Sequence, residues 1–304
     1  MARANGQALG IDTTMPISVV LLVIASALAH ASWNALLKRT RDAEHAVVAM
    51  MFLAALTGVV FAVFLRMPMP PAASLAWCVA AGVLEAGYFV SLARALSRAP
   101  LGSVYTIVRG GARVVVWPVS VLVLGEPLTI LRAAGTLLVV LGLVATGTSE
   151  RAPAALARSA AVPAGKAVRS GVAVAAGCAL FVGVYHLAYM LALSSGGRPE
   201  TVVSISLSTA SLLNIAALGS KRRLALAALR EQPVRIVLGG MLASVGFLVF
   251  LSAMKDAGAG VVFTLRNTSI LFAQILAFAL GERPRRLGLI GAGLVTAGAI
   301  LLAR

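Results

Sequence analysis

The sequence predicts an all-α integral membrane protein whose ten transmembrane helices form two inverted five-helix repeats. Three observations predict this. Of 304 residues, 60% are hydrophobic and 12% charged, whereas soluble domains hold about 45–50% apolar and about 25% charged residues. The mean hydropathy is +0.97, and the apolar residues are gathered into continuous stretches, each near the roughly 20 residues that span a hydrocarbon core of about 30 Å. Motifs of the first half recur in the second.

Ten stretches can be laid along the chain: residues 16–37, 46–65, 73–94, 101–124, 128–148, 170–193, 201–219, 234–253, 259–280 and 285–303. They are continuously apolar rather than alternating, which favours helices over barrel strands, because a lipid-exposed helix satisfies its own backbone. The first stretch contains Ala27-Leu28-Ala29, similar to the small-x-small site of a cleaved signal, but the repeat requires this helix, so it is read as retained. Cys78 and Cys178 both lie inside apolar stretches, which leaves neither a disulfide framework nor a metal cluster.

The repeat is legible residue by residue. Ala95 to Thr106 (ALSRAPLGSVYT) aligns with Ala253 to Thr264 (AMKDAGAGVVFT), with Tyr105 opposite Phe263. After a two-residue gap Leu124-Gly125-Glu126 pairs with Leu280-Gly281-Glu282, and Gly135, Leu138, Val139 and Gly142 pair with Gly291, Leu294, Val295 and Gly298. The domains expected are residues 1–148, a polar Ala/Pro/Arg-rich linker 149–169 without a fold of its own, and residues 170–304. Five is odd, so the second copy lies inverted in the membrane, the plan of many secondary transporters.

The net charge of +16 reads mainly as topology. The odd-numbered connections carry Lys38, Arg39, Arg41, Arg94, Arg98, Arg151, Arg158, Lys166, Arg169, Lys221, Arg222, Arg223, Arg230, Arg235, Arg283, Arg285 and Arg286, 17 in all. The even connections and tails carry six: Arg3, Arg66, Arg132, Arg198, Lys255 and Arg304. The positive-inside rule places the odd connections in the cytoplasm and both termini outside. Basic charge spent on orientation does not imply nucleic acid.

The motifs GEPLTILRAAGTLLVVLGLVATG and GERPRRLGLIGAGLVTAGAILLA resemble those of EamA-type transporters in the drug/metabolite transporter superfamily. The likeness extends over both halves. AHASWNALLK at Ala29–Lys38, SVYTIVRG at Ser103–Gly110 and TLRNTSILFAQILAFALGE at Thr264–Glu282 are similar to motifs of one bacterial branch. There the first-half motif reads Tyr-Pro-Ile-x-Arg-Gly, where this chain has Thr106 for the proline, and the second often has Arg-Glu, where this chain has Arg266-Asn267. The resemblance implies a multi-pass protein of the bacterial inner membrane that moves amino acids, other metabolites or toxic compounds. Many members are described with cytoplasmic termini, against the orientation read from the charges of this chain.

Ionisable groups in mid-membrane are costly, about 2.5–3.5 kcal/mol each on insertion scales, and so point to function. Glu85, Arg109, Arg113 and Arg266 qualify, and His30 and His186 add titratable rings. Tyr105, Arg109 and Arg113, spaced i, i+4, i+8, share one helix face. One carboxylate cannot neutralise three guanidiniums, even if Glu85 pairs with one arginine to fix helix 3 against helix 4. An anionic ligand or helix C-termini must compensate the surplus. Arginine suits a carboxylate or phosphate because its planar fork grips bidentately and keeps its charge when dehydrated. Arg109 and Arg266 follow the matched Thr106 and Thr264 closely, so each half can supply one cation to a central site; Arg113, Glu85, Tyr105, Asn34 and Asn267 complete the candidate substrate set.

His30 and His186 are the candidate proton carriers, since histidine titrates near physiological pH. In half-sized small multidrug-resistance relatives a coupling glutamate stands eight residues before a lysine; here His30 stands eight before Lys38. The plainer alternative is that His30 bonds to Asn34 or a neighbouring helix. Tyr185-His186-Tyr189 is a similarly ambiguous patch, Gln274 reads as interhelical glue, and Trp117 as a packing residue. Pro118 predicts a kink in helix 4. Glu126 and Glu282 read as structural carboxylates at the N-terminus of the helix that follows each. The remaining glycines read as close helix contacts, with Gly110-Gly111 as an alternative route for substrate to the helix 4 backbone. No catalytic triad, metal-ligand or phosphate-loop pattern occurs, so no cofactor and no soluble-style catalysis is expected.

The leading expectation is a proton-coupled secondary transporter, an exporter more than an importer, for a small organic anion or amino acid. Its partners are that substrate and the bilayer, with no nucleic acid, and it acts as a monomer or homodimer. The competing readings are a drug or cation exporter and a membrane-embedded enzyme or lipid-processing subunit using His30, Glu85 and His186.

Overall fold

The computed structural model describes residues 17–123, 129–149, 164–257, 262 and 265–302. Every regular element among them is helical: α1 (Ile17–Lys38), α2 (Ala43–Phe64), α3 (Ala72–Arg98), α4 (Leu101–Val123), α5 (Ile130–Ser149), α6 (Ala164–Ser194), α7 (Pro199–Leu218), α8 (Arg222–Glu231), α9 (Pro233–Ala257), α10 (Ser269–Ala279) and α11 (Arg286–Leu302). Among the described residues, six segments are long and apolar enough to cross a membrane: Ile17–Lys38, Ala43–Phe64, Ala72–Arg98, Lys166–Ser194, Pro199–Glu231 and Pro233–Met254. Shorter apolar helices lie at Ala133–Thr148, Ser269–Ala279 and Arg286–Leu301. Outward-facing Leu, Val and Phe such as Phe64 and Leu212 have the apolar face that lipid requires.

The two halves are inverted copies. α5 and α11 cross at their glycines: a Cβ on Gly142 would lie 2.6 Å from the Gly291 carbonyl oxygen, and one on Gly298 would lie 2.5 Å from that of Gly135. The repeat pairs Gly135 with Gly291 and Gly142 with Gly298, so these two contacts are mates of one another across a pseudo-twofold, and the helices run antiparallel. The same exchange relates α3 against α6 to α9 against α1, and α4 against α6 to α10 against α1. Small residues let these backbones approach where lipid offers no hydrophobic force between helices.

The connections sort by end. At one end Lys38 Nζ donates to the Ala99 carbonyl at 2.7 Å, Arg41 pairs with Glu231 at 3.4 Å, Arg94 with Glu44 at 3.3 Å, and Arg235 donates to the Arg39 carbonyl at 3.1 Å. At the other, the Ser74 hydroxyl donates to the Ala192 carbonyl at 2.8 Å and Arg198 reaches Met67 Sδ at 3.6 Å. The described parts of the odd connections, which hold most of the basic residues, therefore share one face of the bundle.

Four expectations are corrected. α6 begins at Ala164, so the last residues of the expected linker 149–169 belong to a helix. The amphipathic helix α8 was not foreseen; it follows Gly219, whose φ of 52° is a left-handed turn that ends α7 and suits a residue without Cβ. The expected span 259–280 is broken at Asn267-Thr268. There the N–H groups of Thr268, Ile270 and Leu271 reach the carbonyls of Leu265, Asn267 and Thr268, three residues back, at 3.1, 2.9 and 3.0 Å. Thr268 Oγ1 also donates to the Leu265 carbonyl at 2.7 Å: short polar side chains compete for the backbone and tighten the turn. Finally, Glu282 does not serve α11. Its carboxylate accepts the N–H of Leu101 at 2.8 and 3.0 Å, capping α4 of the other half, with Lys38 Nζ 3.8 Å away. Glu126, Phe263 and Thr264, and the side chains of Trp117, Pro118 and Lys255, lie outside the described residues; α4 continues through Pro118.

Candidate functional site

α4, α6 and the broken segment before α10 meet in mid-bundle, and their polar residues have nowhere to face but inward. Arg109 and Arg113 from α4, His186 from α6, and Arg266 and Asn267 from the broken segment line one cavity of about 50 Å³. Its charged and titratable lining is largely buried: Arg109 is 9% exposed, Arg266 2% and His186 6%, while Arg113, Leu187 and Met190 are partly exposed.

Arg266 is held from two sides. Its Nη2 lies 3.3 Å from His30 Nδ1, and its guanidinium carbon lies 3.7 Å from the Phe250 ring centroid and 5.0 Å from that of Phe247. A cation over aromatic faces is stabilised by their quadrupoles without being neutralised, so the charge stays available. Arg109 lies 5.8 Å from the Tyr105 centroid, and the Tyr105 ring lies 5.8 Å from that of His30. Tyr105 and His30 thus lie between Arg109 and Arg266.

His30 Nδ1 also accepts the Trp33 Nε1–H at 3.2 Å. Trp and Arg are donors only, so the ring presents an acceptor at Nδ1 and its proton at Nε2. Of the plainer alternatives for His30, the bond to a neighbouring helix is present, through Arg266. The bond with Asn34 involves the backbone instead: Asn34 Nδ2 donates to the His30 carbonyl at 2.8 Å. Asn34 is buried but is not among the residues lining either central cavity. His186 stacks on Tyr185 at 4.4 Å and its Nδ1 lies 2.6 Å from the Val182 carbonyl, to which it donates.

Glu85 occupies a second, smaller cavity of about 20 Å³ with His30, Trp33, Tyr88 and Tyr185. The alternative reading of an ion pair with an arginine is not met at Arg109 or Arg266: the carboxyl faces the Tyr189 and Ser206 hydroxyls, which themselves are 2.7 Å apart. Aromatic rings separate carboxylate from guanidinium.

The buried polar atoms without a partner divide in the same way. Those lining the arginine cavity include the donors Arg109 Nη2, Arg266 Nε and Nη1, and Asn267 Nδ2; in the second cavity Glu85 Oε2 is an acceptor. A buried group left unmade costs about 1–3 kcal/mol, more when charged.

Two other sequence readings are settled. A Cβ on Gly110 would meet Val295 at 2.7 Å and one on Gly111 would meet Ala179 at 2.8 Å, so these glycines admit neighbouring helices, not substrate. Gln274 Nε2 donates to the Gly102 carbonyl and to Thr106 Oγ1, both at 3.1 Å, joining α10 to α4 as expected of interhelical glue. Sequence reasoning missed Phe247 and Phe250, which read as ordinary apolar residues of a span; their spacing of three on one face was the only trace.

A family model described as the EamA-like transporter family matches residues 17–148 and 169–304. Among solved structures, one described as "Crystal structure of protein" is similar over 93% of this chain and 97% of its own, with a TM-score of 0.58 and 17% identity. At that identity the likeness is one of fold. No curated protein matches the chain.

Proposed function

The chain belongs to the EamA-like transporter family, and from that membership and the arginine-lined cavity we propose that it is a secondary transporter for a small organic anion or amino acid. The observation that carries the reading is the excess of unpartnered donors on Arg109, Arg266 and Asn267. An acid group docks there, bridging the cations that the two inverted halves each contribute, while an amino group reaches Glu85 among Trp33, Tyr88 and Tyr185. Rocking of one half against the other exposes the site to either side in turn.

Proton coupling runs through His30 in this reading. Protonation at Nδ1 replaces an acceptor with a donor and sets two cations face to face, so Arg266 and Trp33 must let go. Arg266 is then free for the substrate anion, and proton and substrate movements become linked. Export across a bacterial inner membrane is the direction we favour.

Counterflow in proteoliposomes tests the proposal. Arg109→Ala and Arg266→Ala should each lower uptake of a carboxylate substrate by at least about a hundredfold, as lost bidentate charged bonds predict, with reconstituted protein unchanged. Wild-type rates in both variants would sink it. A second reading, a cation or drug exporter, is favoured by one observation: Glu85 is not neutralised by Arg109 or Arg266 and lies among aromatic rings that suit a cation. It requires the reverse result, loss in Glu85→Gln with the arginine variants active.

A further inference from the structure

The amphipathic helix α8 has no counterpart in the first repeat, where the matching connection between α2 and α3 is the short segment Leu65–Pro71. The repeat architecture does not need it. α8 lies at the basic end of the bundle against α2, with Ala225 and Ala228 buried and Leu224 and Leu226 exposed. Beneath it runs a groove of about 270 Å³ between α2, α7 and α8, lined by Phe52, Ile215, Leu218, Leu226 and Leu229, with Arg222 at its edge. Phe52 and Leu56 of α2 and Leu212 of α7 continue it as exposed apolar side chains facing the bilayer, so an acyl chain reaches it sideways from lipid.

Among the described residues, no acid pairs with the charge at the mouth. Lys221, Arg222 and Arg223 are exposed, and the Arg222 Nε–H donates to the Ile215 carbonyl at 3.0 Å, which directs its remaining N–H groups outward. The acids described at this end are engaged elsewhere: Asp42 with His45, Glu44 with Arg94, Glu231 with Arg41 and Glu282 with Leu101. Glu231 stands at the far end of α8, about 13 Å from Arg222 by helical rise. The positive-inside rule turns this end toward the anionic cytoplasmic leaflet.

We propose that the groove beneath α8 binds an anionic phospholipid, one acyl chain lying between α2, α7 and α8 and the phosphate held by Lys221, Arg222 and Arg223. The site is separate from the central cavities and stands whatever the transported substrate is. An apolar groove alone accepts any acyl chain; the basic triplet at its mouth selects the anionic headgroup.

Native mass spectrometry of the full chain in detergent tests this, with titrations of dioleoyl phosphatidylglycerol and dioleoyl phosphatidylcholine. Wild type should retain one phosphatidylglycerol in preference to phosphatidylcholine. The triple variant Lys221→Gln, Arg222→Gln, Arg223→Gln should bind phosphatidylglycerol about a hundredfold more weakly, from about fivefold for each basic side chain near an anionic surface. Leu226→Gln, at an exposed position, should weaken both lipids. Should the triple variant fail to elute as a folded species, Arg222→Gln and Arg223→Gln singly should each weaken phosphatidylglycerol about fivefold. Equal retention of the two lipids, wild-type binding by the basic variants, or a lipid-independent dimer abolished by Leu226→Gln would each overturn the proposal.

Discussion

Arg266 Nη2 lies 3.3 Å from His30 Nδ1, joining the broken helix of the second half to the first helix of the chain. One nitrogen therefore decides whether Arg266 is tied down. If protonation there frees the arginine, transport should depend steeply on pH in wild type and lose that dependence in His30→Ala. His30→Gln, which keeps an acceptor oxygen, should transport with a flat profile. Initial rates in proteoliposomes across pH 5–8 check this; an unchanged profile in His30→Ala removes the coupling role.

Arg266 rests on the faces of Phe250 and Phe247, and guanidinium and ammonium are not equivalent over such rings or toward a carboxylate. Arg266→Lys should retain membrane expression but recover less than about a tenth of wild-type kcat/KM, the single-contact loss being of order 1.4 kcal/mol or more. Phe250→Leu, which removes the ring and leaves the cation, should weaken substrate binding less than Arg266→Ala does. Substrate titrations of the three variants rank them.

The cap that Glu282 gives Leu101 crosses from one repeat to the other. Burial raises the Glu282 carboxyl above its ordinary range, against the Leu101 N–H and the Lys38 ammonium, which lower it. A raised native value means that the stability linked to this proton is complete below the unfolded-state value of about 4.3 and is lost as pH rises through the native value. Glu282→Gln keeps an acceptor oxygen without the buried charge and should melt close to wild type at neutral pH. Glu282→Ala loses the cap, about 1 kcal/mol, and should melt several degrees lower.

Two glycines of α11 separate packing from propensity. A Cβ on Gly291 would lie 2.6 Å from the backbone oxygen of Gly142, whereas one on Gly293 meets nothing within 4 Å. Gly293→Ala should therefore raise stability by up to about 1 kcal/mol through helix propensity. Gly291→Ala should lower it by about 1–3 kcal/mol, because a backbone oxygen cannot step aside. Thermal melts in one detergent give the signs.

The described basic connections converge on one end of the bundle, the end for which the positive-inside rule predicts a cytoplasmic location. An alkaline phosphatase fused after Arg304 should be active when the protein is produced in a bacterium, and a green fluorescent protein at the same point should be dark. The opposite pattern reverses the orientation.

The membrane class, the duplicated halves and their inversion were determined by the sequence alone. Apolar runs and repeated glycines are local or periodic signals, and Gly135, Gly142, Gly291 and Gly298 pack as their pairing implied. Arg109, Arg113 and Arg266 were also legible, because charge inside an apolar run is conspicuous. Only the tertiary structure decided what each charge faces. Glu85 turned to Tyr189 and Ser206 rather than to Arg109 or Arg266, Asn34 to its own helix, and Arg266 to His30 and Phe250, since partners far apart in the chain leave no spacing to read. The break at Asn267-Thr268 and the helix α8 depended on the same level: whether Thr268 takes the backbone, and whether a ten-residue amphipathic segment folds, are settled by the helices packed against them.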